Sequence, residues 1–204
     1  MNFLAHAFLS FNRPEILVGN MISDFVKGKK QFDYEEMIRI GITLHRSIDT
    51  FTDEHPITKS MKSFYRMEYG LYSAVLVDVS YDYFLANDEK IFPTKDLLKS
   101  FTKKTYQQIE NHRQILPENF AIAFGYMQKQ DWLYHYSTDD GIAKSFAGLQ
   151  RSSMYMKPTD IALEIFKENK NEMKSLFEDF FPQVNVYALT KLEELIKSAF
   201  ISLK

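Results

Sequence analysis

The sequence predicts an all-α protein, and three observations predict it. Apolar residues recur mostly three and four positions apart, while alternating strand-like patterns are scarce. The 7 glycines and 6 prolines do not cluster, so no linker, repeat or low-complexity stretch divides the chain. The 204 residues suit one domain of ordinary size, assigned to 1–204. The expected architecture is a single helical, bundle-like domain of eight or nine helices.

Each element has its own signal. Pro14 can open a helix at its first position and Gly28 can close it, giving 14–27. Asp33 is an N-cap candidate for a long helix from Tyr34 to about Thr52, with Met37, Ile38, Gly41, Ile42, Leu44, Ile48 and Phe51 on its buried side. Pro56 opens a third helix, to about Met67. Residues 71–87 form the fourth and most apolar one; its valines would suit a strand, but its length and aromatic spacing favour a buried helix. Thr94 caps a fifth, to about Ile115. A sixth follows Pro117 towards Tyr136, and Ser137 or Thr138 starts a seventh, to about Arg151. Thr159 caps the eighth, which the break at Phe181-Pro182 ends. The last covers about Tyr187 to Leu203.

Composition excludes several function classes. The absence of cysteine removes disulfides, thiolate nucleophiles, iron–sulfur clusters and Cys-based zinc sites. A net charge of −2 argues against a general nucleic-acid binder. The N-terminal segment lacks a basic region, and Asn2, His6 and Ser10 interrupt its apolar residues, so it does not read as a signal peptide. No apolar run approaches the ~18 residues of a membrane span. A soluble, cytoplasmic protein is expected. There is no Gly-rich phosphate loop, GxSxG or GxGxxG. The 18 Phe and 12 Tyr predict an aromatic-rich core with some rings left to line a groove, and Trp132, the only tryptophan, is expected in that core.

The informative residues are acids and histidines inside apolar helices, where an unpaired carboxylate is costly to bury. Asp24 is flanked by Ile22, Phe25 and Val26. His45 and Asp49 are four apart and so share a helix face, with Arg46 about 100° further round. Asp78 and Asp82 are four apart in the most apolar helix, and His6 lies near the N-terminus. These residues could also be a surface hydrogen bond (His45–Asp49), core ion pairs (Asp78 and Asp82), a cap or a pair with Lys27 (Asp24), or an ordinary half-buried histidine (His6). Together they could gather on several helices around a divalent ion, and mixed N/O ligation suits Mn²⁺, Mg²⁺ or Fe²⁺. Such an ion makes hydroxide available near neutral pH, and Arg46, with Arg151 as a second candidate, could clamp a phosphate with paired hydrogen bonds. Lys27, Lys29 and Lys30 form a local basic cluster, either solvated surface or a docking patch for an acidic partner. His55, His112 and His135 look less informative.

The chain resembles the acyl carrier protein phosphodiesterase family. The residues that carry the resemblance are Asn2-Phe3-Leu4-Ala5-His6, Gly19-Asn20, Asp24-Phe25-Val26 with Gly28, His45-Arg46, Ile48-Asp49, Thr52-Asp53, Asp78-Val79, Asp82 and Phe84-Leu85. Trp132-Leu133 with Tyr136, and Arg151, extend it. It spans the chain in order and is densest over 1–85. The family is similar in turn to the all-helical HD phosphohydrolases, although here His45 is followed by Arg46 and the nearest acid on that face is Asp49. Tyr83 also stands where the family pattern often has His. The resemblance implies Asp24, His45 and Asp78 as metal ligands, with His6, Asp49 and Asp82 beside them, and Mn²⁺ as the ion. It implies hydrolysis of the phosphodiester joining 4′-phosphopantetheine to a serine of holo-acyl carrier protein, an acidic protein substrate that Lys27, Lys29 and Lys30 would dock. A different HD-like phosphohydrolase of a nucleotide or small phosphodiester, or a non-catalytic helical partner-binding module, are the competing expectations.

Overall fold

Prolines and caps do set most helix starts. The computed structural model describes residues 1–201, which form eleven α-helices and, among these residues, no strand. The all-α expectation holds; the count of eight or nine does not. Helix α1 (Phe3–Phe8) is too short to show a period in sequence, but the Asn2 side chain caps it, accepting from the Phe3 amide at 2.9 Å.

Helix α2 (Pro14–Ile22) opens at Pro14 as expected and ends well before 27. Short 3₁₀ turns follow at Ser23–Phe25 and Gly28–Asp33, because Val26 is extended and Gly28 takes φ +58°. Helix α3 (Glu36–Glu54) starts after Glu35, so Asp33 is not its cap. Helix α4 (Pro56–Tyr69) stops where Gly70 takes φ +52°, and α5 (Ser73–Ala86) is buried on nearly every side over its second half. Thr94 caps α6 (Lys95–Glu110), whose expected end at Ile115 is a separate 3₁₀ turn. The sixth expected helix is two, α7 (Glu118–Gln130) and α8 (Trp132–His135), parted by a left-handed Asp131 at φ +47°. Thr138 caps α9 (Asp139–Ser152). Helix α10 (Asp160–Glu168) follows Thr159, whose side chain makes no capping bond.

Helix α11 (Lys170–Ile201) corrects the break expected at Pro182, since it runs straight through it. Proline removes one amide donor and crowds the carbonyl four residues back. Here Pro182 and Glu178 are exposed, so water can serve that carbonyl, and the Gln183 side-chain amide donates to the next one, Asp179, at 2.8 Å. Phe180, Phe181 and Val184 are buried on the opposite side, and Phe180 stacks on Tyr81 with centroids 4.9 Å apart. Apolar burial on this scale outweighs one lost hydrogen bond. Residues 202 and 203 of the last expected helix lie outside the described residues.

Helix α3 packs between α2 and α11. It meets α2 at glycines: a Cβ on Gly19 would run into the Ile38 carbonyl and lie 2.9 Å from Gly41 Cα, and a Cβ on Gly41 would run into the Ile16 carbonyl. The two backbones therefore touch, which brings Asn20 of α2 beside the face of α3 that carries His45 and Asp49. Trp132, expected in the core, stands half-buried instead.

Candidate functional site

Two imidazoles and a carboxylate meet where α1 reaches α3. His6 lies in the last turn of α1, and its ring stacks on that of His45 with centroids 3.9 Å apart and 19° between planes. Asp49, one turn beyond His45, places one oxygen against each: Oδ1 is 3.1 Å from His6 Nε2 and Oδ2 is 3.0 Å from His45 Nε2. Ligand atoms of the three lie within 4.8 Å of one another. Both histidines are buried, while the Asp49 side chain keeps 36 % of its surface open to solvent. Asp24, in the turn after α2, reaches His45 Nε2 from the solvent side at 3.2 Å.

Asn20 fixes how His6 presents itself. Its side-chain Nδ2 donates to the His6 carbonyl at 2.9 Å and to Ser10 Oγ at 3.1 Å, so its Oδ1 must be the atom 2.8 Å from His6 Nδ1. That oxygen can only accept, so His6 Nδ1 carries the proton and Nε2 turns its lone pair towards an Asp49 oxygen. Two acceptors face each other at that point, an arrangement that calls for a cation between them. The pattern of one ring nitrogen held by an outer partner and the other left as a donor pair is that of metal-ligating histidine. Burial and the neighbouring His45 push the His6 pKa down to about 4, which keeps it neutral. Burial would lower His45 too, but its bonds to Asp24 and Asp49 win and raise it to about 9. His45 Nδ1 is buried with no hydrogen-bond partner. Burial opposes ionisation of Asp49, yet its bond to His45 and the nearby Met1 ammonium hold it well below the usual carboxylate range. The hydrogen bond to His45 lowers Asp24 as well. Among the described residues this donor set fits a divalent cation.

The remaining sequence candidates fall elsewhere. Asp78 Oδ1 pairs with the Met1 amino group at 3.2 Å, and the same amine lies 3.3 Å from Asp49 Oδ1. Burial alone would lower that amine, but Asp78 and Asp49 raise it to about 10; burial in turn raises Asp78. Asp82 is fully buried and has both oxygens taken by α1, Oδ2 by the Leu4 amide at 2.7 Å and Oδ1 by the Ala5 amide at 3.1 Å. Burial pushes it up to about 7 against those donors. Its observed work is to anchor the start of α1, and with it His6. Arg46 donates to Gln31 Oε1 at 2.9 Å and to the Val26 carbonyl at 3.0 Å, bracing the loop on which Lys27, Lys29 and Lys30 stand exposed. Arg151 is exposed near the end of α9, on the wall of a groove of about 870 Å³ that also contains Phe3, Val79, Trp132, Tyr136 and Leu149. Tyr83 faces Asp139 and Lys170. His55 caps α4, and His112 and His135 bond nearby carbonyls. Asn20 is a functional residue to which the sequence pattern assigns no role. Its signal was an amide inside the apolar run of α2, where a buried polar group must find partners.

A family profile described as acyl carrier protein phosphodiesterase matches residues 1–184. The chain belongs to the acyl carrier protein phosphodiesterase family. Proteins of that name from Photorhabdus laumondii and Yersinia pestis are each 29 % identical to it, over 95 % and 89 % of this chain and 96 % and 94 % of theirs. One from Serratia proteamaculans is 27 % identical over 94 % of this chain and 99 % of its own. No solved structure matches the chain. In this member of the acyl carrier protein phosphodiesterase family, the His6–His45–Asp49 cluster, Asn20, Asp24 and the groove all fall inside the matched residues; the end of α11 lies beyond them.

Proposed function

We propose that this chain hydrolyses the phosphodiester linking 4′-phosphopantetheine to the serine of holo-acyl carrier protein, giving apo-carrier protein and free 4′-phosphopantetheine. One observation carries the reading: a chain matched along most of its length by the acyl carrier protein phosphodiesterase family sets two buried imidazoles, His6 and His45, on the half-exposed carboxylate of Asp49, with a forced lone pair on His6. His6 Nε2, His45 and Asp49 would hold the ion, with Asp24 and Asp78 alongside. The mixed donor set suits Mn²⁺, with Mg²⁺ and Fe²⁺ as other choices. When bound, a divalent cation supplies an activated water near neutral pH and shields phosphate charge.

The chain's own groups do the rest. Asn20 keeps His6 in the donor tautomer, and Asp82 keeps α1 in register so that His6 stays over Asp49. Asp24, ionised at neutral pH, steadies His45 at the solvent edge. Lys27, Lys29 and Lys30 follow Asp24 directly and form a basic rim for the acidic carrier, held in place by Arg46.

Incubation with Mn²⁺ and holo-acyl carrier protein, followed by mass spectrometry of the carrier, tests this. The carrier should lose the mass of its prosthetic group. His45→Ala and Asp49→Ala should each slow the loss more than about a hundredfold, beyond the 10–100-fold typical of outer partners. An unchanged carrier mass, with turnover of a nucleotide diester instead, would reject the carrier as substrate.

A further inference from the structure

Trp132, Tyr136 and Arg151 stand apart from the metal-ligand cluster, yet they converge on one groove. Its volume of about 870 Å³ lies within the roughly 300–1,000 Å³ of small-molecule sites. Phe3, Val79 and Leu149 give it apolar surface, Trp132 adds a half-buried indole, and no Asp or Glu lines it. Lys144 on its rim is paired with Asp140 at 2.6 Å, whereas Arg151 has no ion pair among the described residues. Two lining residues neighbour the cluster in sequence. Phe3 lies two residues from Met1, whose amine pairs with Asp49 and Asp78, and Val79 follows Asp78.

Tyr136 is the group that asks for a ligand. It is 3 % exposed and lines the groove, and its hydroxyl makes no hydrogen bond among the described residues. The ring is buried while the hydroxyl oxygen keeps access to the groove, so a carbonyl seated there could accept from it in place of water. A ligand that suits this lining is narrow, uncharged and mostly apolar, with a carbonyl to accept from the phenol.

We propose that this groove receives the pantetheine arm of the substrate, a linear amide-bearing thiol, with Tyr136 Oη donating to one of its amide carbonyls and Trp132 packing along the chain. The assignment rests on the functional reading above, since it supplies the substrate. Arg151 then stands free at the rim, where an anionic group attached to the arm would meet it.

Trp132 is the only tryptophan in the sequence, so its emission reports on the groove directly. The full chain is titrated with pantetheine, without metal. A saturable change in emission is expected. Tyr136→Phe should weaken binding roughly fivefold, the value of one neutral hydrogen bond, without lowering Tm, because the lost hydroxyl had no partner in the fold. Gly148→Leu fills the groove from a helical position where a Cβ meets only an Arg151 nitrogen at 3.8 Å, and it should abolish saturation. No saturable change in the wild type, or saturation that neither variant moves, overturns the proposal. The carrier mass assay run beside it separates the two readings. Hydrolysis without pantetheine saturation overturns the groove assignment alone. Saturation with an unchanged carrier mass supports the groove and overturns the hydrolysis.

Discussion

Asn20 has two amide protons and one carbonyl oxygen, and the fold commits all of them. The protons go to His6 O and Ser10 Oγ and the oxygen to His6 Nδ1. A residue that is not itself a metal ligand thereby decides which nitrogen of His6 can donate a lone pair. Asn20→Ala should lower Mn²⁺ affinity by about 10–100-fold in a calorimetric titration of the folded variant. An affinity within twofold of wild type would mean that His6 does not ligate. His45 and Asp49 were legible as a pair, because four-residue spacing on an apolar helix leaves few other arrangements. Asp24 was legible as a neighbour, but its role of bracing His45 was not. Asp82 was legible only as a buried acid. Its partners are backbone amides of a helix too short to read, so nothing in the sequence told a cap from a ligand.

Helix starts that rest on proline or on a Thr cap were readable: Pro14, Pro56, Thr94 and Thr138 all stand where α2, α4, α6 and α9 begin. Helix ends depended on tertiary context. Val26 leaves the helical path where Arg46 holds its carbonyl from across the site, and Asp131 adopts a conformation that glycine usually supplies. Proline inside α11 is the reverse case, a local stop signal overridden by Phe180, Phe181 and Val184 beneath it. The cost should be recoverable. Pro182→Ala restores an amide donor to α11 and relieves the crowding, a gain of up to ~3 kcal/mol, less up to ~1 kcal/mol for a freer unfolded chain. A rise of several degrees in Tm is expected by calorimetry. A lower Tm would mean that the proline is needed for the way α11 packs on α3 and α4.

At the scale of the molecule, charge and shape divide the work. The net charge is only −2, yet Lys27, Lys29 and Lys30 stand together beside Asp24 and His45, without an ion pair among the described residues. Replacing all three with Gln should lower kcat/KM for holo-acyl carrier protein about tenfold at low salt and leave kcat unchanged. Initial rates across a salt series check this, because the gap should close towards ~1 M, where the Debye length is ~3 Å. A gap that persists at high salt would mean that the lysines do more than attract. No helix of the described residues is long and apolar enough to cross a membrane.

The touching backbones of α2 and α3 carry a consequence for how the protein tolerates change. Gly19 and Gly41 have no chemistry, and an inventory of reactive groups would rank them last. Yet they set the gap between the helix that carries Asn20 and the helix that carries His45 and Asp49. A methyl at either position would run into a facing carbonyl oxygen and force the two helices apart, and His6, tied to α2 through Asn20, would be drawn away from the carboxylate that α3 carries without any donor having been altered. In a saturation library the narrowest choice of residue should fall on the two smallest side chains in the site.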